Sequence, residues 1–226
     1  MIDLRSDALS VVKATIQVVA ALFPIVNPLG SAAIFINMIG GLDSKLHNLL
    51  AQKIAVYSFF LLLGSMLCGV KVLEFFGIAI YAVQIGGGLV LTATGWSLLT
   101  QDATAAKSGP GEDDDILAHA FYPYTLPVTV GPGSISVAIT LGAHLPSEVH
   151  ASSILFPRVI LVALIGIALI CLIIYVCYRY ARVVERRLGA AGTTVVMRLS
   201  SFILVCIGIQ IVTTGVRAYL GTFMHF

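Results

Sequence analysis

The stretch "FPIVNPLG", residues 23–30, stands inside an apolar run. Two prolines, an asparagine and a glycine all oppose an uninterrupted helix. Yet the residues on both sides, from about 10 to 40, read as one long membrane segment. At 1.5 Å per residue, about 31 residues cover about 46 Å, while a hydrocarbon core is about 30 Å thick. The run is too long for one straight crossing, and its breakers lie near the middle. Two half-helices with an unwound centre fit it better.

The rest of the chain has the same character. Of its 226 residues, 58% are hydrophobic and 11% charged, and the mean hydropathy is +1.00. A soluble domain carries about 25% charge. Long uncharged runs cross membranes as helices, because lipid offers no partner for backbone N–H and C=O groups. The chain is therefore read as an integral membrane protein, and a soluble helical bundle is set aside. Its thirteen Lys and Arg residues lie between apolar runs, which excludes a nucleic-acid surface. The N-terminus lacks the basic start and small-residue cleavage pattern of a signal peptide, so the first run should stay in the mature protein. Cys68, Cys171, Cys177 and Cys206 form no CxxC pair and are expected to be buried free thiols.

Six apolar segments stand out, at about 10–40, 53–73, 77–100, 118–145, 156–178 and 199–222. The fourth is overlong like the first, and it too has breakers near its centre, "LPVTVGPGS" at 126–134. Residues 101–117 carry Gly, Pro and the acidic run Glu112 to Asp115, and read as a solvated linker. This divides the chain into a three-helix repeat at 1–100 and a second at 118–226, together forming one membrane domain. "NPLGSAAIF" aligns weakly with "GPGSISVAI", and "VQIGGGLVL" with "MRLSSFILV". Three crossings is an odd number, so the repeats must face opposite ways, the inverted plan of many secondary transporters. The fold class is thus all-α, with six transmembrane segments in two inverted repeats and segments 1 and 4 broken in mid-membrane.

Orientation follows from Lys and Arg. Arg5, Lys13, Lys71, Arg158 and Arg217 lie on one side. Lys45, Lys53, Lys107, Arg179, Arg182, Arg186, Arg187 and Arg198 lie on the other. The second group should be cytoplasmic, with both termini outside and the acidic linker inside.

The breaks carry the chemistry. Asn27 is a favoured N-cap and Pro28 suits the first helical position, where no N–H is needed. Gly131-Pro132 gives the same start in segment four. Gly30, Ser31, Gly133 and Ser134 fall in the first turns, where small residues leave backbone N–H groups open. A helix start carries about half a positive charge. Two starts meeting inside the membrane would suit a carboxylate, and freed carbonyls at the preceding ends would suit an ammonium. A zwitterion satisfies both. The bland alternative is a pair of kinks relieved by neighbouring helices.

"FPIVNPLGSAAIF", "FFGIAIYAVQIGGGLVL" and "LPVTVGPGSISVAI" closely resemble the MarC family of bacterial inner-membrane proteins. The resemblance covers nearly the whole chain apart from the linker. It implies a six-helix inner-membrane protein similar to small neutral amino-acid transporters, and it does not choose a solute.

No Asp, Glu, Lys, Arg or His lies centrally in any apolar segment, so proton coupling has no obvious residue. Thr125, Thr129, Thr213 and Thr214 could offer oxygens to a sodium ion, and uncoupled transport is equally open. Gln84 and Gln210 are the most polar groups deep in segments three and six; interhelical bonding is the ordinary role, and Gln84 is also a candidate substrate contact. Tyr122, Tyr124 and Trp96 read as interface anchors, Glu74 and His119 as interfacial, and "IGGG" (85–88) as a packing face. No HExxH, GxSxG, CxxC or intramembrane carboxylate pair points to an enzyme, a metal or a cofactor. The expected function is secondary transport or export of a small neutral amino acid or similar solute, alone or as a homo-oligomer in the bilayer. A membrane scaffold or regulatory protein is the alternative.

Overall fold

The computed structural model describes residues 4–39, 42–100, 116–148 and 155–223. Its helices are α1 (Leu4–Val26), α2 (Pro28–Ile39), α3 (Ser44–Phe75), α4 (Ile80–Thr100), α5 (Pro132–Glu148) and α6 (Leu155–Phe223). Irregular helical turns at Ala118–Thr129 precede α5. Among the described residues there is no strand.

Five stretches are long and apolar enough to cross a membrane: Leu9–Ile36, Ser44–Phe75, Ile80–Thr100, Arg158–Gly189 and Ala191–Thr222. A sixth arises if Ala118–Thr129 and Pro132–Leu145, which meet at 71°, are one span. Large apolar side chains such as Phe60, Trp96 and Phe202 point outward. Such a surface suits lipid.

Helix extends further than apolarity does. α3 begins at Ser44, where the Asp43 carboxylate accepts the Lys45 N–H at 3.3 Å, rather than near residue 53. The Arg-rich stretch after Tyr178 is helical as well, and α6 is interrupted only at Gly189, with φ 67° and ψ 177°. Arg, Glu, Leu and Ala are good helix formers, and the helix does not stop where the hydrocarbon does. A Cβ on Gly189 would meet nothing within 4 Å, so backbone conformation rather than space calls for glycine there. At the end of α3, Gly77 (φ 67°) lets its own N–H reach Glu74 O and the Ile78 N–H reach Leu73 O, which closes the helix and turns the chain into α4.

Without a hydrophobic force between helices in lipid, close backbone approach must hold them together. α4 and the second arm of α6 achieve it. A Cβ on Gly88 would stand 2.7 Å from Gly208 O, and one on Gly208 would stand 2.8 Å from Gly88 O. "IGGG" is therefore a packing face in part: Gly87 abuts Ser136 and Gly88 abuts α6, while Gly86 faces open space. α5 is fixed to α4 by Ser136 Oγ, which donates to Val83 O at 2.8 Å.

Three expectations need correction. Tyr124 is buried, because extended backbone at Tyr122 and Leu126 turns it inward against Phe35; Trp96 and Tyr122 do face outward. Of the cysteines, Cys171 is buried, but Cys68 and Cys206 are exposed on outward helix faces. Thr213 and Thr214 are exposed and donate to the carbonyl of Gln210, itself exposed, whereas Thr125 and Thr129 are buried. The linker's acidic run lies outside the described residues.

Candidate functional site

The first break is a single residue. The Asn27 N–H still reaches Phe23 O at 3.0 Å, as the last donor of α1. Asn27 then takes φ 46°, which Asn tolerates better than most residues. Its carbonyl accepts the Ser31 N–H at 2.9 Å, the first full turn of α2. Its side-chain Oδ1 accepts the Gly30 N–H at 3.2 Å. One residue thus ends α1 and caps α2. Pro28 supplies no N–H, which leaves the Pro24 carbonyl without its usual partner. Gly30 is required by this cap, since a Cβ would collide with the Asn27 amide.

The second break is longer and uncapped. Val130 is extended (φ −120°, ψ 92°), and its N–H donates to Thr125 O at 2.8 Å. α5 then starts at Pro132, with the Ile135 N–H on Gly131 O at 3.1 Å. Gly131 has no side chain to reach the N–H groups of Gly133 and Ser134. In both starts the carbonyl of the residue before proline accepts the first helical N–H, but only the first start carries its own side-chain cap.

A cavity of about 290 Å³ lies between them. Asn27, Ser31, Gly131, Pro132, Gly133 and Ser134 line it together. Pro28, Gly30 and Gln84 do not: Pro28 and Gly30 are buried in the start of α2, and Gln84 is buried on α4 against Gly215 of α6. Apolar walls come from α4 and α6, notably Val90, Leu91 and Leu204. No ionisable side chain is part of the lining. At about 30 Å³ per water, the volume corresponds to about ten waters. Leu91 sets the size beside α5, because a Cβ on Gly133 would stand 3.0 Å from it.

Tyr178 ties the two breaks. Fully buried, its hydroxyl hydrogen-bonds Thr129 Oγ1 at 2.7 Å and lies close to Ser31. Thr129 has one proton and gives it to Tyr124 O at 2.6 Å, so the Tyr178 hydroxyl is the donor to Thr129. Ser31 donates to Asn27 O at 2.9 Å. Phe35 packs on Tyr178 with ring centroids 4.6 Å apart, and His47 Nε2 donates to the Tyr178 carbonyl at 2.8 Å. Sequence reasoning passed over Tyr178, Phe35 and His47. Tyr178 closes an apolar run just before Arg179, and His47 precedes the apolar part of α3, so neither looked internal.

At the segment ends, Glu74 pairs with Lys71 at 2.9 Å, both exposed. Among the described residues, no group of His, Cys, Asp and Glu could hold a metal ion.

Residues 12–220 match the family described as "MarC family integral membrane protein". The chain is 32% identical over 210 residues to the UPF0056 inner membrane protein MarC of Escherichia coli strain ATCC 8739, covering 89% of this chain and 93% of that one. The MarC protein of Shigella flexneri is 30% identical over the same coverage. No solved structure matches.

Proposed function

The chain belongs to the MarC family of integral membrane proteins, and from that premise we propose that it carries a small neutral amino acid, or a solute of similar shape, across the inner membrane. The cavity between the two helix starts supports this reading. It offers unclaimed N–H groups at Gly133 and Ser134 for a carboxylate, carbonyls of the broken segment near Pro127 for an ammonium, and apolar walls for a short side chain. A strongly charged solute would find no counter-ion there. The absence of ionisable groups from the lining also favours carriage over catalysis.

The architecture is that of two inverted three-helix repeats with a broken first span in each. Its support is the pairing of counterparts. Span 1 contacts span 4, α3 packs on the first arm of α6, and α4 packs on the second arm. The loop before α3 and the Arg-rich part of α6 meet at one end, where Arg182 donates to Leu42 O. By the positive-inside rule this end is cytoplasmic and the termini are outside.

Counterflow of labelled neutral amino acids in proteoliposomes tests the function. Gly133→Leu should insert and abolish uptake, because its Cβ already meets Leu91 and the rest of the side chain must fill the cavity beside it. Uptake that survives Gly133→Leu unchanged would place the path elsewhere.

A further inference from the structure

A second cavity, of about 320 Å³, lies between the first turn of α3 and α6 beyond Tyr178. Ser44, His47 and Asn48 form one wall, and Arg179, Arg182 and Arg186 the other. None of these arginines meets a carboxylate among the described residues; the ion pair found there is Lys71–Glu74, at the far end of α3. Arg179 is held by the Tyr175 hydroxyl and lies over the Tyr175 and Tyr180 rings, and Arg182 is held by Leu42 O. Glu185 lines a neighbouring groove instead. Two guanidiniums are thus positioned, and a third is free to swing.

His47 supplies an independent observation. It is 2% exposed, and its Nδ1 is buried without a hydrogen-bond partner. Its Nε2 is committed to Tyr178 O. A buried ring nitrogen beside three guanidiniums needs either a proton donor or, when protonated, an anion. A phosphate group meets the second need, since its oxygens accept from guanidinium and imidazolium alike.

Position selects the source of that phosphate. The apolar run of α6, residues 156–178, covers about 34 Å, enough for the hydrocarbon core. The arginines begin directly after it, at headgroup depth. Tyr180 also borders a largely apolar groove of about 180 Å³ between α2 and α6, walled by Ala32, Ile36, Val184 and Leu188, the groove that Glu185 also lines. The charged pocket and the apolar groove share Tyr180, and the two together at the membrane surface suit one molecule that straddles it, an anionic phospholipid. We propose that this pocket binds the phosphate headgroup of an anionic phospholipid, with an acyl chain lying along the α2–α6 groove. The same Tyr178 that ties the two breaks accepts from His47, so the lipid site adjoins the support of the central cavity.

Native mass spectrometry of the delipidated protein in neutral detergent tests this, with phosphatidylglycerol, phosphatidylethanolamine and inorganic phosphate as probes. Phosphatidylglycerol should bind saturably, inorganic phosphate should compete weakly, and phosphatidylethanolamine should bind no better than background. Arg186→Gln, whose side chain supports nothing else, should weaken phosphatidylglycerol about five-fold, and Arg179→Gln by a similar factor. His47→Gln, which can keep the donation to Tyr178 O, should weaken it as well. Equal binding of the two lipids, or arginine variants that bind phosphatidylglycerol as wild type does, would overturn the site. Binding of inorganic phosphate without phosphatidylglycerol would overturn the lipid assignment.

Discussion

Replacing Tyr178 by Phe removes one oxygen from the point where the two breaks are joined. The protons decide what that costs. Thr129 already donates to Tyr124 O, and Ser31 has Asn27 O as an acceptor at 2.9 Å. Neither hydroxyl is orphaned when the phenol goes. The loss is one net hydrogen bond, about 1 kcal/mol, rather than the larger penalty of a stranded buried donor. The ring stays, so contact with Phe35 survives; Tyr178→Ala would instead open a cavity at about 3–5 kcal/mol. Thr129→Val removes the other end of the same bond. Reversible unfolding by SDS titration in mixed micelles, followed by circular dichroism, gives the four stabilities of the cycle. The double variant should be more stable than the sum of the singles by about 1 kcal/mol. Additivity within about 0.3–0.5 kcal/mol would refute a Tyr178–Thr129 tie.

Asn27→Ala should lose the Gly30 cap, about 0.5–2 kcal/mol, and add the strain of φ 46°, about 1–2 kcal/mol. Asn27→Gly keeps the backbone freedom and should be milder in the same titration; equal losses would mean the positive φ is not strained. Gly208→Val must push α4 away, because the new Cβ meets Gly88 O and Thr92 N, both backbone, at 2.8 and 2.7 Å. We expect destabilisation of about 3 kcal/mol or more, whereas Gly64→Ala, with open space around it, should be neutral or slightly stabilising. Cysteine at Asp114, on a background without native Cys, should resist impermeant maleimides in intact cells, and ready labelling would reverse the orientation.

Local chemistry wrote much of the fold into the sequence. Composition placed the chain in a membrane, because a backbone in lipid must pair within its own helix. Asn27-Pro28 and Gly131-Pro132 located the starts of α2 and α5, since a proline without N–H fits a first turn whatever surrounds it. Helix ends were less legible. Apolarity marks where lipid stops, and α3 and α6 run on past it into Ser44–His47 and the Arg-rich stretch. Tertiary structure alone decided which small residues meet. It set Gly88 on Gly208, and left Gly133 and Ser134 facing a cavity walled by Leu91 from the other half of the chain. It also brought Tyr178 to Ser31 and Thr129, and His47 to Tyr178, across sequence distances no periodicity reports. The reason is physical: a break in a helix is a property of a few neighbouring residues, while a site is a property of the packing that brings two breaks together.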